Sequence, residues 1–527
     1  MRRIYTYYSN YYCTKPYFDN VPKEIIFDIL NYLPIASILS FRRLSKPLCE
    51  ITKNNNFWNQ LFHNNYGTIE KNKHFSEIDY KQYYLRIKKL SLDDALDLSI
   101  RSGCINHCKS LIINYNACDF NPFHKKYFIL TAAFNGMSEI VELLIKHNIC
   151  TVDETCPGEP TPLCIACGKL HIDTVKILIK YKANIELEYR GDVPLFISSR
   201  LGNTEIVEYL LDNGANVNYT NSIDGATALY IAAKTGQNNV IELLLNRGAN
   251  IEAVYEKVQT PLYVAALNGN IDSVKMLIRY NANVNVRDDN GKTPLYVSSQ
   301  NGSHEIVELL LNAGANPDIF CNNGYTPLYM ASINGRHKVV EILAKRFNVN
   351  KLTQNPITPL YIACQHGHFE VVSVLLNNDI DYINSFVNNH SPLYIALIKE
   401  HYDIVQLLLT KIDVITNINH SSESEILLIP CSNNNLDIAK LLLQNGAKPF
   451  KDPNNLDNIL HVAITKKFTD RIIDWLIKTF PELLFEENNI GVTPLELALK
   501  FNNSVITNYV YTFCKTNNNL FVDTLKI

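Results

Sequence analysis

One stretch, TPLYVSSQNGSHEIVELLLNAGANPDIFCNNGY at residues 293–325, recurs in altered form along most of the 527-residue chain and constrains its fold strongly. Thr293 is a good N-cap and Pro294 a good first helical residue, so a helix is predicted to begin there. Gly302 supplies the left-handed residue that ends this helix, and a later Gly ends a second helix. A polar, turn-rich arm follows before Thr326 restarts the pattern 33 residues on.

The two predicted helices of this unit are suited to packing against copies of themselves. The first carries Ser298 and Ser299, small residues that share a face and let a neighbouring backbone approach closely. The second carries Val307, Leu310 and Leu311 at i, i+3 and i+4, which gives it an apolar stripe. Because one small helix pair cannot cover that stripe, adjacent units must bury it between them. The pattern predicts an all-α solenoid of helix-turn-helix units with extended β-turn arms.

Thirteen such units align, which predicts a repeat array over residues 93–515. Successive units are separated by 32 to 35 residues. The residues aligned with Thr293 are Asp94, Tyr127, Thr161, Val193, Thr227, Thr260, Thr293, Thr326, Thr358, Ser391, Glu425, Asn458 and Thr493. Units 1, 2, 11 and 12 lack both members of the Thr-Pro pair but keep the stripe of the second helix. Atypical terminal units are expected because their outer faces meet water.

The segment TPLYVSSQNGSHEIVELLLNAGAN resembles the ankyrin repeat, whose length and T-P-L-H-x-A signature it nearly reproduces. It departs from that family at the position after Leu, where His is usual and only His461 restores it. The residues that stand there instead are Tyr230, Tyr263, Tyr296, Tyr329, Tyr361 and Tyr394. Any hydrogen bond that the family assigns to this His must therefore be made differently or not at all.

A second pattern occupies Val21–Phe62, near the N-terminus. Five apolar residues at helical spacing predict one amphipathic helix, which Pro34 breaks, and two shorter helices follow. The stripe consists of Ile25, Ile26, Ile29, Leu30 and Leu33. About forty residues seldom fold stably alone, so a partner is expected to complete the stripe.

This N-terminal segment resembles an F-box in its opening Val-Pro-Lys-Glu, its Tyr-Leu-Pro helix end, its Arg-Leu-Ser-Lys stretch at Arg43–Lys46 and its late Trp. The resemblance implies a small three-helix F-box that docks on the Skp-type adaptor of cullin–RING ubiquitin ligases. The residues at positions that the family uses for this contact or for its own core are Val21, Pro22, Ile25, Ile29, Leu33, Leu39 and Trp58. The alternative is a helical cap on the solenoid.

These two patterns divide the chain into five predicted segments. Residues 1–20 are Tyr-rich, polar and unstructured, and 21–66 form the F-box. A linker at 67–92 leads to the repeats at 93–515, and 516–527 form a polar C-terminal tail.

Composition excludes several classes of function. A net charge of −3, from 49 basic and 52 acidic residues, gives no general attraction to nucleic acid or anionic membrane. Neither a secretory signal nor a run of 18 apolar residues is present. The 13 Cys are scattered without a compact framework, which favours free thiols in a reducing compartment. We expect an intracellular, cytoplasmic protein.

Candidate chemistry is sparse. Cys164 and Cys167 form half of a redox or metal motif, but both fall at packing positions of the repeat and no second CxxC follows at zinc-ribbon spacing. Cys104, His107 and Cys108 would need a fourth ligand such as His124 to hold zinc, and a structural role is favoured. No phosphate-binding loop or nucleophile elbow occurs. We therefore expect no enzyme, no metal and no cofactor.

The repeat leaves the turns before each Thr-Pro and the residues just before the helix-ending Gly free for recognition. These positions vary most in the middle units, where exposed aromatics beside an Arg resemble the composition of interface hot spots. The predicted target-binding residues are Glu256, Lys257, Arg287, Asp288, Lys292, Gln300, Phe320, Tyr325 and Gln365. The alternative is that these are ordinary solvated turns.

The two resemblances together imply a substrate-recognition adaptor of an SCF-type cullin–RING ubiquitin ligase, which holds an unknown target protein near the ligase. The alternative is a non-catalytic scaffold or sequestering protein that acts without ubiquitination. The F-box-first order, the long ankyrin array and the heavy use of Asn, Ile, Lys and Tyr resemble ankyrin-repeat proteins of large DNA viruses of amoebae. That resemblance implies a protein in the host cytoplasm that redirects the host ligase.

Overall fold

The computed structural model describes residues 91–103, 105–155, 158–255, 258–346, 357–378, 387, 390–411 and 425–516. The predicted F-box lies outside these ranges, as do two of the predicted target-binding residues. The predicted site residues concerned are Val21, Pro22, Ile25, Ile29, Leu33, Leu39, Trp58, Glu256 and Lys257.

Twenty-six α-helices occur within the described ranges and follow one another as thirteen pairs. They are α1 (Leu92–Ser102), α2 (Ile105–Asn114), α3 (Pro122–Phe134), α4 (Ser138–Lys146), α5 (Pro162–Lys169), α6 (Ile172–Lys180), α7 (Pro194–Leu201), α8 (Thr204–Asp212), α9 (Ala228–Thr235), α10 (Asn238–Asn246), α11 (Pro261–Asn268), α12 (Ile271–Arg279), α13 (Pro294–Asn301), α14 (His304–Asn312), α15 (Pro327–Ile333), α16 (His337–Arg346), α17 (Pro359–His366), α18 (Phe369–Leu376), α19 (Pro392–Ile398), α20 (Tyr402–Lys411), α21 (Leu428–Ser432), α22 (Leu436–Gln444), α23 (Ile459–Thr465), α24 (Asp470–Thr479), α25 (Pro494–Lys500) and α26 (Ser504–Thr516). Short 3-10 helices at Ala117–Asp119 and Pro481–Phe485 lie in connections. No β-strand occurs in these ranges, and the arms carry isolated bridges such as Tyr189 with Asp192. The all-α prediction is confirmed.

Thr-Pro pairs begin the first helix in six of the thirteen repeats, as the sequence predicts. In α13 the Thr293 hydroxyl accepts a hydrogen bond from the Tyr296 backbone N–H at 3.2 Å, and Pro294 occupies the first turn. Gly302 ends the helix in the left-handed conformation, with φ of 85°.

Three first helices begin elsewhere than the repeat alignment predicts. Helix α1 begins after Ser91, whose hydroxyl accepts from the Asp94 N–H at 3.2 Å, so Asp94 lies inside the helix. Helix α3 begins after Asn121, and Tyr127 lies well inside it. In both cases a better N-cap stands upstream and extends the helix towards its N-terminus. In the eleventh repeat a turn at 425–427 precedes the short α21.

The chain forms two compact parts, residues 1–256 and 257–527. Within each part, first helices pack against the first helices of neighbouring repeats, and second helices against second helices. In the first part α3 packs against α1, α5 and α4, and α7 packs against α9. In the second part α11, α13, α15, α17 and α19 pack in succession.

The core of each repeat lies where its two helices meet those of the next repeat. Val307 and Leu310 are fully buried, and so are the small residues Ser298 and Ser299. Burial of a Val or Leu side chain stabilises the fold by about 1.5–3 kcal/mol. The stripe and the small-residue face predicted from the sequence are therefore both core.

In several repeats the loop between the two helices is covered by a side chain from the following repeat. His171 lies over Gly136, and its Nε2 donates to the Phe134 carbonyl at 3.1 Å. In the same way His368 lies over Gly335, and its Nε2 donates to the Ile333 carbonyl at 2.9 Å. The covering side chain supplies a donor that the helix end lacks.

Replacing Gly136 with Ala is expected to destabilise the second repeat more than Gly103→Ala destabilises the first. Both glycines have φ near 70°, which costs a non-Gly residue about 1–2 kcal/mol. A Cβ at Gly136 would lie 2.7 Å from His171 Nδ1, whereas nothing lies within 4 Å of one at Gly103. Displacing the ring adds about 1–3 kcal/mol. Hydrogen exchange of α1 and α3 in the full chain measures the difference, and equal losses of protection would contradict the contact.

Many of the Asn residues connect successive arms, which agrees with a structural role for them. The Asn216 N–H donates to Glu186 Oε1 at 2.7 Å, and the Asn250 N–H donates to Asn218 Oδ1 at 2.7 Å. In the second part of the chain the Asn316 N–H donates to Asn285 Oδ1 at 2.8 Å. These bonds pair backbone donors that the turns would otherwise leave to water.

Candidate partner-binding surface

The arm before α13 is organised around Asp288, one of the predicted target-binding residues. Its Oδ1 accepts from the backbone N–H groups of Asn290 and Lys292, at 3.0 Å and 2.7 Å, and its Oδ2 accepts from the Tyr263 hydroxyl at 2.9 Å. Asp288 is only 7% exposed. The prediction that its side chain faces outward is therefore wrong, because the carboxylate closes the turn that it was expected to display.

In three repeats the Tyr that replaces the family His reaches into the arm of the next repeat. Tyr263 contacts Asp288 in this way, and Tyr296 hydrogen-bonds to Cys321 at the equivalent position of the following arm. Burial and this bond to Cys321 raise the pKa of Tyr296. In the first part of the chain the ring of Tyr230 stacks on that of Tyr255, with centroids 4.4 Å apart. The contact between repeats is thus made by a phenol in place of an imidazole.

His461 is the family residue at this position, and its imidazole makes two hydrogen bonds. Its Nδ1 accepts from the Asn458 N–H at 3.1 Å, and its Nε2 donates to the Val492 carbonyl at 2.9 Å in the next repeat. His461 is fully buried. Both residue types at this position therefore serve packing between repeats and are not available to a partner.

In the arms before α13 and α15, the residue just before the buried position is more exposed than that position. Arg287 is exposed, and its Nη2 donates to the Phe320 carbonyl at 3.3 Å. Phe320 is the equivalent residue of the following arm and is half-buried. Arg287 and Phe320 thus lie side by side in successive turns, which we call the row of turns.

Tyr325 is half-buried and stacks on Tyr329, with ring centroids 4.4 Å apart and planes 8° from parallel. Burial and the neighbouring Tyr325 raise the pKa of Tyr329 to about 12. One face of the Tyr325 ring is therefore covered by Tyr329.

The remaining predicted residues within the described ranges have intermediate exposure. Lys292 is half-buried, with its Nζ 5.6 Å from the centre of the Tyr296 ring. Gln300 and Gln365 are half-buried at the ends of α13 and α17. The Gln300 carbonyl accepts from Arg336 Nε at 3.3 Å, which makes its backbone part of the covered loop.

The thiols predicted to be structural are buried. Burial raises the pKa of Cys164 to about 11 and that of Cys167 well above its ordinary value, which disfavours the thiolate that metal binding or redox chemistry needs. Cys104, considered for a zinc site, lies outside the described residues. In the part of the chain that the structure describes, no three His, Cys, Asp or Glu side chains are grouped to hold a metal ion.

The repeat alignment missed one exposed surface. Helix α3 has 13 residues and presents two phenylalanines to solvent, Phe123 at 65% and Phe134 at 51% exposure. The repeat alignment predicts that this helix begins near Tyr127, which leaves Phe123 outside the helix. The Asn121-Pro122 pair, an N-cap followed by a first-turn Pro, was the available signal.

Among the helices in the described ranges, none combines the length and apolarity that crossing a bilayer requires.

Comparison with known families agrees with this architecture. The profile of ankyrin repeats (3 copies) matches residues 128–221, 216–288, 262–354 and 345–422, which together cover more than half of the chain. The chain belongs to the ankyrin-repeat family. The F-box domain profile matches residues 18–60, which confirms the F-box predicted near the N-terminus.

Several curated proteins are similar to part of the array. Ankyrin repeat and SOCS box protein 11 from Homo sapiens is 31% identical over 102 residues, 19% of this chain and 29% of that protein. Ankyrin repeat and SOCS box protein 5 from Oryctolagus cuniculus is 31% identical over 106 residues, 20% of this chain and 30% of that protein.

A viral protein is also similar. Putative ankyrin repeat protein FPV022 of Fowlpox virus (strain NVSL) is 28% identical over 102 residues, 19% of this chain and 17% of that protein. In all three cases the match spans less than a third of the relative's length. The resemblance to proteins of amoebal viruses stays a prediction.

Proposed function

We propose that this protein is a substrate-recognition adaptor of an SCF-type cullin–RING ubiquitin ligase. Its F-box docks on a Skp-type adaptor, and its ankyrin array binds a target protein. The observation that carries the proposal is the F-box match at residues 18–60 in the same chain as a long ankyrin array. An F-box or an array alone would suggest only a docking segment or a binding scaffold.

Two further observations support a role in protein binding. Ankyrin-repeat and F-box adaptor families are typically non-enzymatic. The similar proteins named for an ankyrin repeat and a SOCS box also pair an ankyrin array with a second, different domain. By holding the target near the ligase, the protein would raise the effective concentration of the target's lysines there.

The proposal is tested by co-purification and by target abundance. We expect the full chain to co-purify with a Skp-type adaptor, and a chain lacking residues 21–62 to lose it. A target that binds the array should become more abundant when those residues are deleted. If the adaptor is absent from complexes of the full chain while a target is retained, the protein is instead a scaffold or sequestering protein.

The row of turns around Arg287, Phe320 and Tyr325 is proposed as part of the target surface. Replacing Arg287 and Tyr325 together with Ala is expected to weaken binding of an identified target at least about tenfold, roughly 1.4 kcal/mol. Isothermal titration with the purified target measures this loss. Because Tyr325 also stacks on Tyr329, Arg287→Ala alone serves as the control that leaves this stack intact. Affinity within twofold for both variants would place recognition elsewhere.

A further inference from the structure

Helix α3 carries an apolar stripe whose two ends are exposed to solvent. Phe123, Tyr127, Leu130 and Phe134 are separated by four, three and four residues, a spacing that places them on one face of a helix. The two phenylalanines at the ends are more than half exposed, and Leu130 between them is 7% exposed. We call these four residues the α3 stripe.

Only the two ends of the α3 stripe, Phe123 and Phe134, are left largely uncovered by neighbouring elements. Helix α3 packs against α1, α5 and α4, which bury Phe128, Ile129, Ala132 and Ala133 on its other faces. Its C-terminal end is fixed by the bond from His171 to the Phe134 carbonyl. The two phenylalanines are eleven residues apart along a rigid helix, a separation of about 16 Å.

Lysine side chains lie over both ends of the stripe. Lys126 Nζ is 4.6 Å from the ring centre of Phe123 and 5.9 Å from that of Tyr127. Lys169, the last residue of α5, has its Nζ 4.0 Å from the ring centre of Phe134. Neither α3 nor α5 contains an Asp or Glu. The stripe is therefore apolar and aromatic along its length and positively charged at both ends.

We infer that the α3 stripe binds an amphipathic α-helix of the target protein, one whose apolar face is flanked by Asp or Glu. This inference deepens the proposed function and rests on it for the existence of a target. A helix laid along α3 would place apolar side chains on Phe123, Tyr127 and Phe134. Carboxylates about three turns apart on that helix would reach Lys126 and Lys169, a separation that matches the 16 Å between the two rings.

The charges around the stripe favour such a helix over single-stranded nucleic acid, which also stacks on aromatics. A nucleic-acid backbone needs a continuous positive groove. The arm between α4 and α5 instead carries Asp153, Glu154 and Glu159, and Asp119 precedes α3. A short helix brings only a few carboxylates, which Lys126 and Lys169 can pair, whereas a nucleic-acid backbone is charged along its whole length.

The test uses the full-length protein and two synthetic helical peptides of about 18 residues, or five turns. Both carry Leu on one face; the first has Glu beside that face and the second has Lys. Fluorescence anisotropy should show saturable binding of the Glu peptide by about 1 mM and at least tenfold weaker binding of the Lys peptide. The double variant Phe123→Ala, Phe134→Ala should lose at least tenfold in affinity for the Glu peptide.

A matched control and a charge reversal complete the experiment. Phe501→Ala removes a phenyl ring that is 52% exposed in the last repeat and should leave affinity unchanged. Lys126→Glu with Lys169→Glu should reverse the preference between the two peptides. The inference is overturned if neither peptide binds, if both bind equally, or if the phenylalanine pair changes nothing. It is also overturned if the lysine pair weakens binding of oligo(dT) and of neither peptide.

The same protein preparations separate this inference from the proposed function. Co-purification of the Skp-type adaptor depends on residues 21–62 and should be unaffected by all the stripe variants. Loss of the adaptor from the wild-type protein would contradict the proposed function. Loss of peptide discrimination, with the adaptor retained, would contradict only the assignment of the α3 stripe.

Discussion

Replacing Ile29 with Asp is expected to abolish co-purification of the Skp-type adaptor while the ankyrin array stays folded. Ile29 occupies the middle of the apolar stripe that the N-terminal sequence predicts, between Ile25 and Leu33. A carboxylate in a buried apolar interface lacks partners, and removal of a central contact typically costs at least about 2 kcal/mol. That corresponds to roughly a thirtyfold loss of affinity. Pull-down at matched expression measures it.

Asn31→Asp provides the control for Ile29→Asp. It adds the same charge two residues further along, at a polar position outside the stripe. We expect this variant to keep the adaptor. Circular dichroism should show the same helical content for both variants, because each repeat of the array contacts only its neighbours. Retention of the adaptor by Ile29→Asp would mean that the helix or the partner is misassigned.

Asp288→Ala is expected to destabilise the repeats on both sides of its arm by about 2–4 kcal/mol. The substitution removes the acceptor of the buried Tyr263 hydroxyl and of two backbone N–H groups, at Asn290 and Lys292. Water can reach the backbone groups near the surface, but the phenol is buried. Hydrogen exchange in α11 and α13 of the full chain should accelerate at least tenfold.

Asp289→Ala isolates the role of the Asp288 carboxylate. The neighbouring Asp289 is exposed, and its backbone carbonyl, which accepts from Asn322 Nδ2 at 2.8 Å, survives the substitution. Exchange rates in α11 and α13 should therefore stay within about twofold of the wild type. Equal acceleration in the two variants would show that lost charge, and not the hydrogen bonds, accounts for the effect.

Repetition made most of the helical fold predictable from the sequence. The Thr-Pro pair and the helix-ending Gly recur at near-constant spacing, so each helix start is supported by its neighbours. Thr293, Pro294 and Gly302 behave as predicted. The prediction fails for α1 and α3, where Ser91 and Asn121 provide local N-caps outside the repeat alignment. There, local capping chemistry decides the helix start.

The candidate surface was less predictable, because neighbouring residues of one turn differ in whether they are exposed or buried. Arg287 is exposed and Asp288 is buried, although both are charged residues of one turn. The difference arises from Tyr263 in the preceding repeat, whose hydroxyl meets Asp288. A contact between repeats cannot be inferred from the turn alone. The position of Tyr263 in the place of the family His was the available signal.

A side chain of one repeat covers the interhelical loop of the repeat before it, and this contact affects how such an array can change in length. His171 covers Gly136, and His368 covers Gly335, one repeat apart in each case. The repeat of α15 and α16 carries both halves of this contact, since His368 of the next repeat covers its Gly335 and its own Arg336 covers Gly302 of the preceding repeat. Gain or loss of one such repeat is therefore expected to join compatible edges. An insertion of a few residues between the two halves is expected to separate them and to weaken the packing of neighbouring repeats.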